Sequence, residues 1–207
     1  MDRFYKIVAI RLNFLSAVGN LIPEAHVSAT PQQLYEQTLV LRSQIGDETA
    51  FRELLELHGS PLLRYTRKMM ESSPAQVEDL AQEIWVAIYR GLPGLRDAGK
   101  FRPWAFRIAR DRIYREYRER KIVMQPLVED ESVEFPESCE ETMNTEVLHQ
   151  GLALIVPEQR EVLVLRFFEE MSYEEIARVT GCALGTVRSR IHYAKQALKM
   201  ALDRRLP

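Results

Sequence analysis

Arg188, Arg190, His192 and Lys195 fall within eight positions of one segment, SYEEIARVTGCALGTVRSRIHYAKQAL (172–198). Guanidinium, imidazole and ammonium groups so close together suit guanine edges and backbone phosphates. They also suit an ordinary solvated helical face, and the elements that position them decide between the two. Ser172 and Glu175 form a capping-box pattern that starts a first helix. Thr180, Gly181 and Cys182 make a tight turn. In the second helix Leu184, Val187, Ile191, Ala194 and Leu198 recur at spacings of 3 and 4, which places them on one buried stripe. Ser189, His192, Tyr193 and Gln196 point away from that stripe, with Arg188, Arg190 and Lys195 flanking them. Short side chains where a helix nears base edges, with basic ones beside them, are what a recognition helix needs. The turn and the capping box favour a DNA-binding helix-turn-helix. That shape is shared by many regulators.

A second basic set lies upstream. From Arg96 to Lys121 there are ten Lys/Arg and four Asp/Glu. Within KFRPWAFRIARDRIYREYRERK (100–121), Phe106, Ala109, Ile113 and Tyr117 read as the core face of a long helix, with Pro103 tolerated near its start. Arg107, Arg112, Arg115 and Arg118 lie on the other side with Trp104 and Ile108. Cations interleaved with flat rings suit single-stranded DNA, where each stacked base is worth about 1–3 kcal/mol. The alternative for Trp104 and Ile108 is packing on the preceding helix. In that helix (73–94, closed by Gly91, Pro93 and Gly94), Val77, Leu80, Ala81, Ile84, Ala87 and Ile88 form the buried face. Asp79, Gln82, Glu83 and Val86 occupy the opposite arc. An exposed valine among polar groups suits either a protein partner or a plain solvated face.

The elements that position these groups are helical throughout, and the chain reads as all-α. GDETAFRELLELHGSPLLRYTRKMM (46–70) predicts two helical segments broken near Gly59-Ser60-Pro61. VPEQREVLVLRFFEEM predicts a helix from Pro157 to the capping signal. Residues 122–143 carry seven acidic groups and no basic one, which predicts a flexible acidic linker. The expected organisation is an extension at 1–33, a helical domain at 34–121, the linker at 122–143, and a second helical domain at 144–207. The net charge of −2 thus conceals a basic patch beside an acidic run. Two cysteines, Cys139 and Cys182, offer neither a disulfide framework nor zinc spacing, and fit a reducing compartment. Four scattered histidines argue against a metal site. No phosphate loop or nucleophile constellation is present, so no enzyme, cofactor or small-molecule substrate is expected. The N-terminal stretch has some signal-peptide character, but Arg11 interrupts its apolar run and Ile7–Ile10 is too short to span a bilayer. A flexible or loosely docked extension of unknown role, or a start codon assigned too early, is the expectation, with a cytoplasmic location.

Four segments in this order resemble the extracytoplasmic-function (ECF) sigma factors of bacterial RNA polymerase. GDETAFRELL resembles the start of the family's first helical region, and VEDLAQEIW its D-L-x-Q-E segment. FRPWAFRIARD resembles its F-x-x-W-L-x-R-I-A-x-N segment. VPEQREVLVLRFFEEMSYEEIARVTGCALGTVRSRIHYAKQAL is similar to its second domain almost throughout. The resemblance implies a non-enzymatic subunit that binds core RNA polymerase, directs it to promoter DNA and assists opening. It implies polymerase contacts at Asp79, Leu80, Gln82, Glu83 and Val86. It implies capture of the melted −10 element by Arg96, Lys100, Phe101, Arg102, Trp104, Arg107, Arg112 and Arg115. Duplex −35 contacts would fall to Thr186, Arg188, Ser189, Arg190, His192, Tyr193 and Lys195. The acidic linker would thread toward the RNA-exit path of the polymerase.

Many relatives are held by an anti-sigma factor, so the resemblance implies one as a partner. The sequence departs from the family pattern at Asp111 (usually Asn), Ala105 (commonly Leu) and His58 (usually aromatic). Asp111 near melted DNA would be repulsive, so pairing with Arg107 or Arg115 is expected. The competing reading is a free-standing helix-turn-helix regulator, which would need a sensor or dimerisation module.

Overall fold

The computed structural model describes residues 30–70, 72–123 and 151–203. The expected N-terminal extension up to residue 29 and the acidic linker from residue 124 lie outside these residues. The chain divides into two units, Met1–Leu34 and Tyr35–Pro207. Both expected helical groups belong to the second unit. Its described residues are helical, with no strand among them, as the periodicity requires.

The first module consists of α1 (Pro31–Gln44), α2 (Glu48–Met69), α3 (Pro74–Gly91) and α4 (Phe101–Val123), with two short 3₁₀ turns, Leu92–Gly94 and Ala98–Lys100, between the last two. Asp47 caps α2 by accepting from the Ala50 amide at 3.0 Å, and its carboxylate also receives Arg42. These donors hold its pKa below the usual carboxylate range. The break expected at Gly59-Ser60-Pro61 does not form, and α2 runs through Pro61. Pro61 removes one ladder bond. Leu54, His58, Leu62, Tyr65 and Met69 nevertheless share one buried face on both sides of it. Burying a large apolar side chain is worth about 1.5–3 kcal/mol, so several of them outweigh the local cost. Ser73 and Gln76 form a reciprocal capping box on α3. Val77, Leu80, Ile84 and Ile88 of α3 meet Phe106, Ala109 and Ile113 of α4 in the core. Gln44 ties α1 to the turn after α3, donating to the carbonyls of Leu92 and Leu95 at 2.9 and 2.7 Å.

The second module consists of α5 (Pro157–Leu163), a π-helical turn at Val164–Phe168, α6 (Tyr173–Thr180) and α7 (Leu184–Asp203). The single helix expected from Pro157 to the capping signal therefore loosens after Leu163. Glu170 comes after the turn with φ +52°, which brings the chain into the α6 cap. The Ser172–Glu175 box is complete: the Glu175 amide donates to Ser172 Oγ at 3.2 Å, and the Ser172 amide to Glu175 Oε2 at 2.8 Å. Gly181 ends α6 at φ +71°. Ile176 and Val179 of α6 and Val187, Ile191 and Ala194 of α7 are buried. Among the described residues no helix is long and apolar enough to cross a membrane.

The left-handed conformation at Gly181 disfavours any residue with a Cβ. Gly181→Ala is expected to lower unfolding stability by about 1 kcal/mol, measured by urea denaturation monitored by circular dichroism.

Candidate nucleic-acid and protein interfaces

On α3, Asp79, Gln82, Glu83 and Val86 are exposed along one arc, with Val86 48% accessible. They border a shallow open groove with Arg90 and Arg112. Leu80 departs from the expected polymerase set because it faces the opposite way and is 6% accessible. Helical geometry explains this, since adjacent positions on a helix point about 100° apart. Arg112 also falls elsewhere than expected. Its Nη1 lies 3.6 Å from Glu83 Oε2, so it borders the acidic arc of α3.

The segment expected at the −10 element divides between surface and core. Arg96, Arg107 and Arg115 are exposed. Lys100 is exposed and bridges Asp97 at 2.7 Å, which holds the Asp97 pKa down. Phe101 is a correction: it is completely buried, edge-on to His58 with ring centroids 5.1 Å apart. The 3₁₀ turn ending at Lys100 delivers Phe101 inward as the first residue of α4, so its ring is core and has no free face for a base. Trp104 is half-buried over Gly91 of α3, where an added Cβ would meet its ring at 3.1 Å; Ile108 lies at the same place. Both therefore pack on the preceding helix, with Trp104 keeping a partly open face. Asp111 pairs with its neighbour Arg110 at 3.9 Å, in place of Arg107 or Arg115.

On the recognition helix α7, Arg188, Ser189, His192, Tyr193 and Lys195 are exposed, while Thr186 and Arg190 are half-buried. His192 and Tyr193 rings meet edge to face at 5.5 Å, and Gln196 Nε2 lies 3.1 Å from His192 Nε2. Lys195 Nζ sits 5.1 Å from the centre of the exposed Phe167 ring, a cation–π placement at the surface. The outward arc is thus a small aromatic and polar ridge with cations on its flanks.

A third cluster, not anticipated from the sequence, joins the two modules. Glu161 of α5 is fully buried and receives Tyr65 Oη at 2.9 Å, Tyr114 Oη at 3.0 Å and Arg110 Nε at 3.0 Å. Burial pushes its pKa up, while Arg110 and the two hydroxyls pull it back. Glu169 accepts both arms of Arg64, at 2.9 and 2.8 Å, which raises the Arg64 pKa. Arg102, expected at the −10 element, donates to the Glu169 carbonyl and lies 4.0 Å from Glu175. Arg160 donates across the contact to the Met69 carbonyl at 3.2 Å. The one signal in the sequence is weak: Glu161 directly abuts the apolar run from Val162 to Leu165.

Comparison with known proteins matches this geometry to one family. Residues 54–122 match the sigma-70 region 2 family model, and residues 146–198 match sigma-70, region 4. The chain is 32% identical to the RNA polymerase sigma-H factor of Pseudomonas aeruginosa over 185 residues, covering 83% of this chain and 95% of that one. It is also 32% identical to the ECF RNA polymerase sigma-E factor of Escherichia coli K12 over 181 residues, 81% of this chain and 94% of the relative. Among solved structures, CnrH in complex with the cytosolic domain of CnrY matches with a TM-score of 0.65 and 25% identity, over 83% of this chain and 99% of that one. RpoE of Bartonella quintana, solved with the anti-sigma factor NepR, shares the fold at a TM-score of 0.59 and 24% identity, over 75% and 98%. With its region 2 helices, its helix-turn-helix and relatives matched over most of their length, the chain belongs to the ECF sigma factors, the non-enzymatic subunits that direct RNA polymerase to promoters.

Proposed function

We propose that this sigma factor divides promoter recognition between its modules and docks on core polymerase through the exposed arc of α3. The observation that carries this reading is the placement of Asp79, Gln82, Glu83 and Val86: polar and apolar groups together on one open face, with their helix anchored from behind by Val77, Leu80, Ile84 and Ile88. Arg112, paired with Glu83, borders this docking face. The melted −10 strand is met by Arg96, Lys100, Arg102, Arg107 and Arg115 beside the open face of Trp104. The −35 duplex is read by Arg188, Ser189, His192 and Tyr193, with Thr186, Arg190 and Lys195 at the edges. Outward polar tips at the centre and cations at the flanks fit base-edge reading framed by phosphate contacts. The free-standing regulator reading falls with the family assignment. We place its action in the cytoplasm, where core polymerase and promoter DNA are. The match to CnrH, solved with a cytosolic protein domain, supports a protein partner of the anti-sigma class, as the family resemblance implies.

Run-off transcription with core polymerase and fragmented genomic DNA tests the whole reading. Promoter-specific transcripts are expected only when the protein is added, and absence of any complex with core polymerase would overturn it. The double variant Asp79→Ala/Glu83→Ala is expected to weaken core binding at least about tenfold, or about 1.4 kcal/mol. Its unfolding stability should stay within about 0.5 kcal/mol of the wild type, because both side chains are exposed. Leu80→Ala separates docking from core: it should cost about 2–5 kcal/mol of stability, read by thermal and urea melts. Arg188→Ala should cost about 1–3 kcal/mol at a single promoter position if its contact is to a base edge. A selection of −35 variants by the mutant holoenzyme measures this, and a uniform loss across sequences would assign Arg188 to a phosphate.

A further inference from the structure

The loop between α3 and α4 carries Arg96 and Lys100, both exposed and both proposed −10 contacts. It consists of two 3₁₀ turns in series, and each turn closes on itself. The Leu95 amide donates to the Leu92 carbonyl at 3.0 Å, and the Lys100 amide to the Asp97 carbonyl at 3.0 Å. The Asp97 side chain also accepts from the Gly99 amide at 3.0 Å. Leu92 and Phe101 are buried and fix the two ends of the loop. None of these bonds crosses the joint between the turns, at Leu95 to Asp97.

Gln44 holds that joint from outside the loop. Its side-chain amide donates to the Leu92 carbonyl at 2.9 Å and to the Leu95 carbonyl at 2.7 Å. A primary amide carries two hydrogens on one nitrogen, so one side chain can hold both acceptors. The Leu95 carbonyl belongs to the same planar peptide unit as the Arg96 amide. Holding that oxygen therefore sets the direction in which the chain enters Arg96. The base of this strut is itself fixed. Gln44 is the last residue of α1, whose Leu39 and Val40 are completely buried, and Arg42 pairs with Asp47, the cap of α2. Gln37 of the same helix reaches the second turn, with its Nε2 3.1 Å from where a Cβ on Gly99 would stand. Both glutamines precede residues 54–122, which match the region 2 family model.

We propose that Gln44 is a positioning residue for −10 recognition: it holds the α3–α4 loop so that Arg96 and Lys100 meet the melted strand from fixed places, with Gln37 supporting the second turn. The inference rests on the promoter reading above and adds α1 to it. The chemistry makes the residue type specific. Glutamate at this position would set a carboxylate against two carbonyl oxygens with no hydrogen to offer, and methionine would keep the length without donors. A loop that is in place only part of the time binds its strand more weakly by that fraction. Neither the exposed arc of α3 nor the outward face of α7 takes part in these bonds. The effect of losing them is therefore confined to the −10 element.

The test uses holoenzyme assembled from core polymerase and the full chain, with a promoter identified by the run-off experiment. The probes are single-stranded oligonucleotides carrying its −10 element, intact or scrambled. Wild-type holoenzyme is expected to prefer the intact strand. Gln44→Met and Gln44→Glu should each cut that preference at least about fivefold, the lower end for two net hydrogen bonds. Gln37→Ala should cut it by less. Core affinity should be unchanged in all three. Hydrogen exchange of the Leu95 and Lys100 amides should quicken in Gln44→Met, while amides in the middle of α2 and α4 keep their wild-type rates. An undiminished preference in both Gln44 variants would overturn the inference. So would a preference lost with unchanged exchange in the loop. A preference lost together with core affinity, or with protection of the helix cores, would also overturn it, by making Gln44 a general structural residue. Failure of the wild type to distinguish the two strands would instead sink the −10 reading itself.

Discussion

The buried carboxylate of Glu161 is the constraint on which the arrangement of the second unit turns. A carboxylate withdrawn from water costs several kcal/mol unless its oxygens are occupied. Here three donors from two helices of the other module occupy them: Tyr65 from α2, and Arg110 and Tyr114 from α4. Apolar surfaces tolerate many orientations, but three donors on one carboxylate tolerate very few. Glu169 repeats the principle at the rim with the two arms of Arg64. The modules are thereby oriented by directional bonds laid over an apolar core that is continuous through both.

These two kinds of contact respond differently to their surroundings. Ile84 and Val187 are completely buried in one apolar core, where no charge is available for ions to compete with. The inter-module bonds depend on groups that water or a nucleic-acid phosphate could also satisfy. The plane between the modules thus combines such bonds with the apolar core that runs through both. Salt acts on such a plane directly, since partly exposed pairs such as Arg64 with Glu169 are screened.

Periodicity and local pattern made the helices, the Ser172–Glu175 capping box and the glycine turn at Gly181 legible, because each is a local property of a few adjacent residues. Resemblance located the α3 and α7 surfaces by segment. It could not assign faces within a segment. Leu80 and Phe101 belong to the same motifs as exposed neighbours and are core, and Arg112 borders α3. Pro61 misleads in the opposite direction, because its local cost is visible in the sequence while the packing that overcomes it is not. The Glu161 cluster is the least legible. Its partners are separated by 96 residues for Tyr65 and 47 for Tyr114, and nothing in either neighbourhood announces the other.

The π-helical turn at Val164–Phe168 lies between the two carboxylates that face the first module. A π turn accommodates one more residue than an α turn over the same arc. Each residue added to or removed from a helix rotates the downstream residues by about 100°. The turn therefore acts as a phase adjuster: it lets Glu161 and Glu169 address the same neighbour although eight positions separate them. Loss of one residue there would leave the charge pattern and both helices intact and still misalign the pair. The mutual orientation of the modules is thus encoded by a residue count, a quantity to which substitution is blind and single-codon insertion or deletion is acutely sensitive.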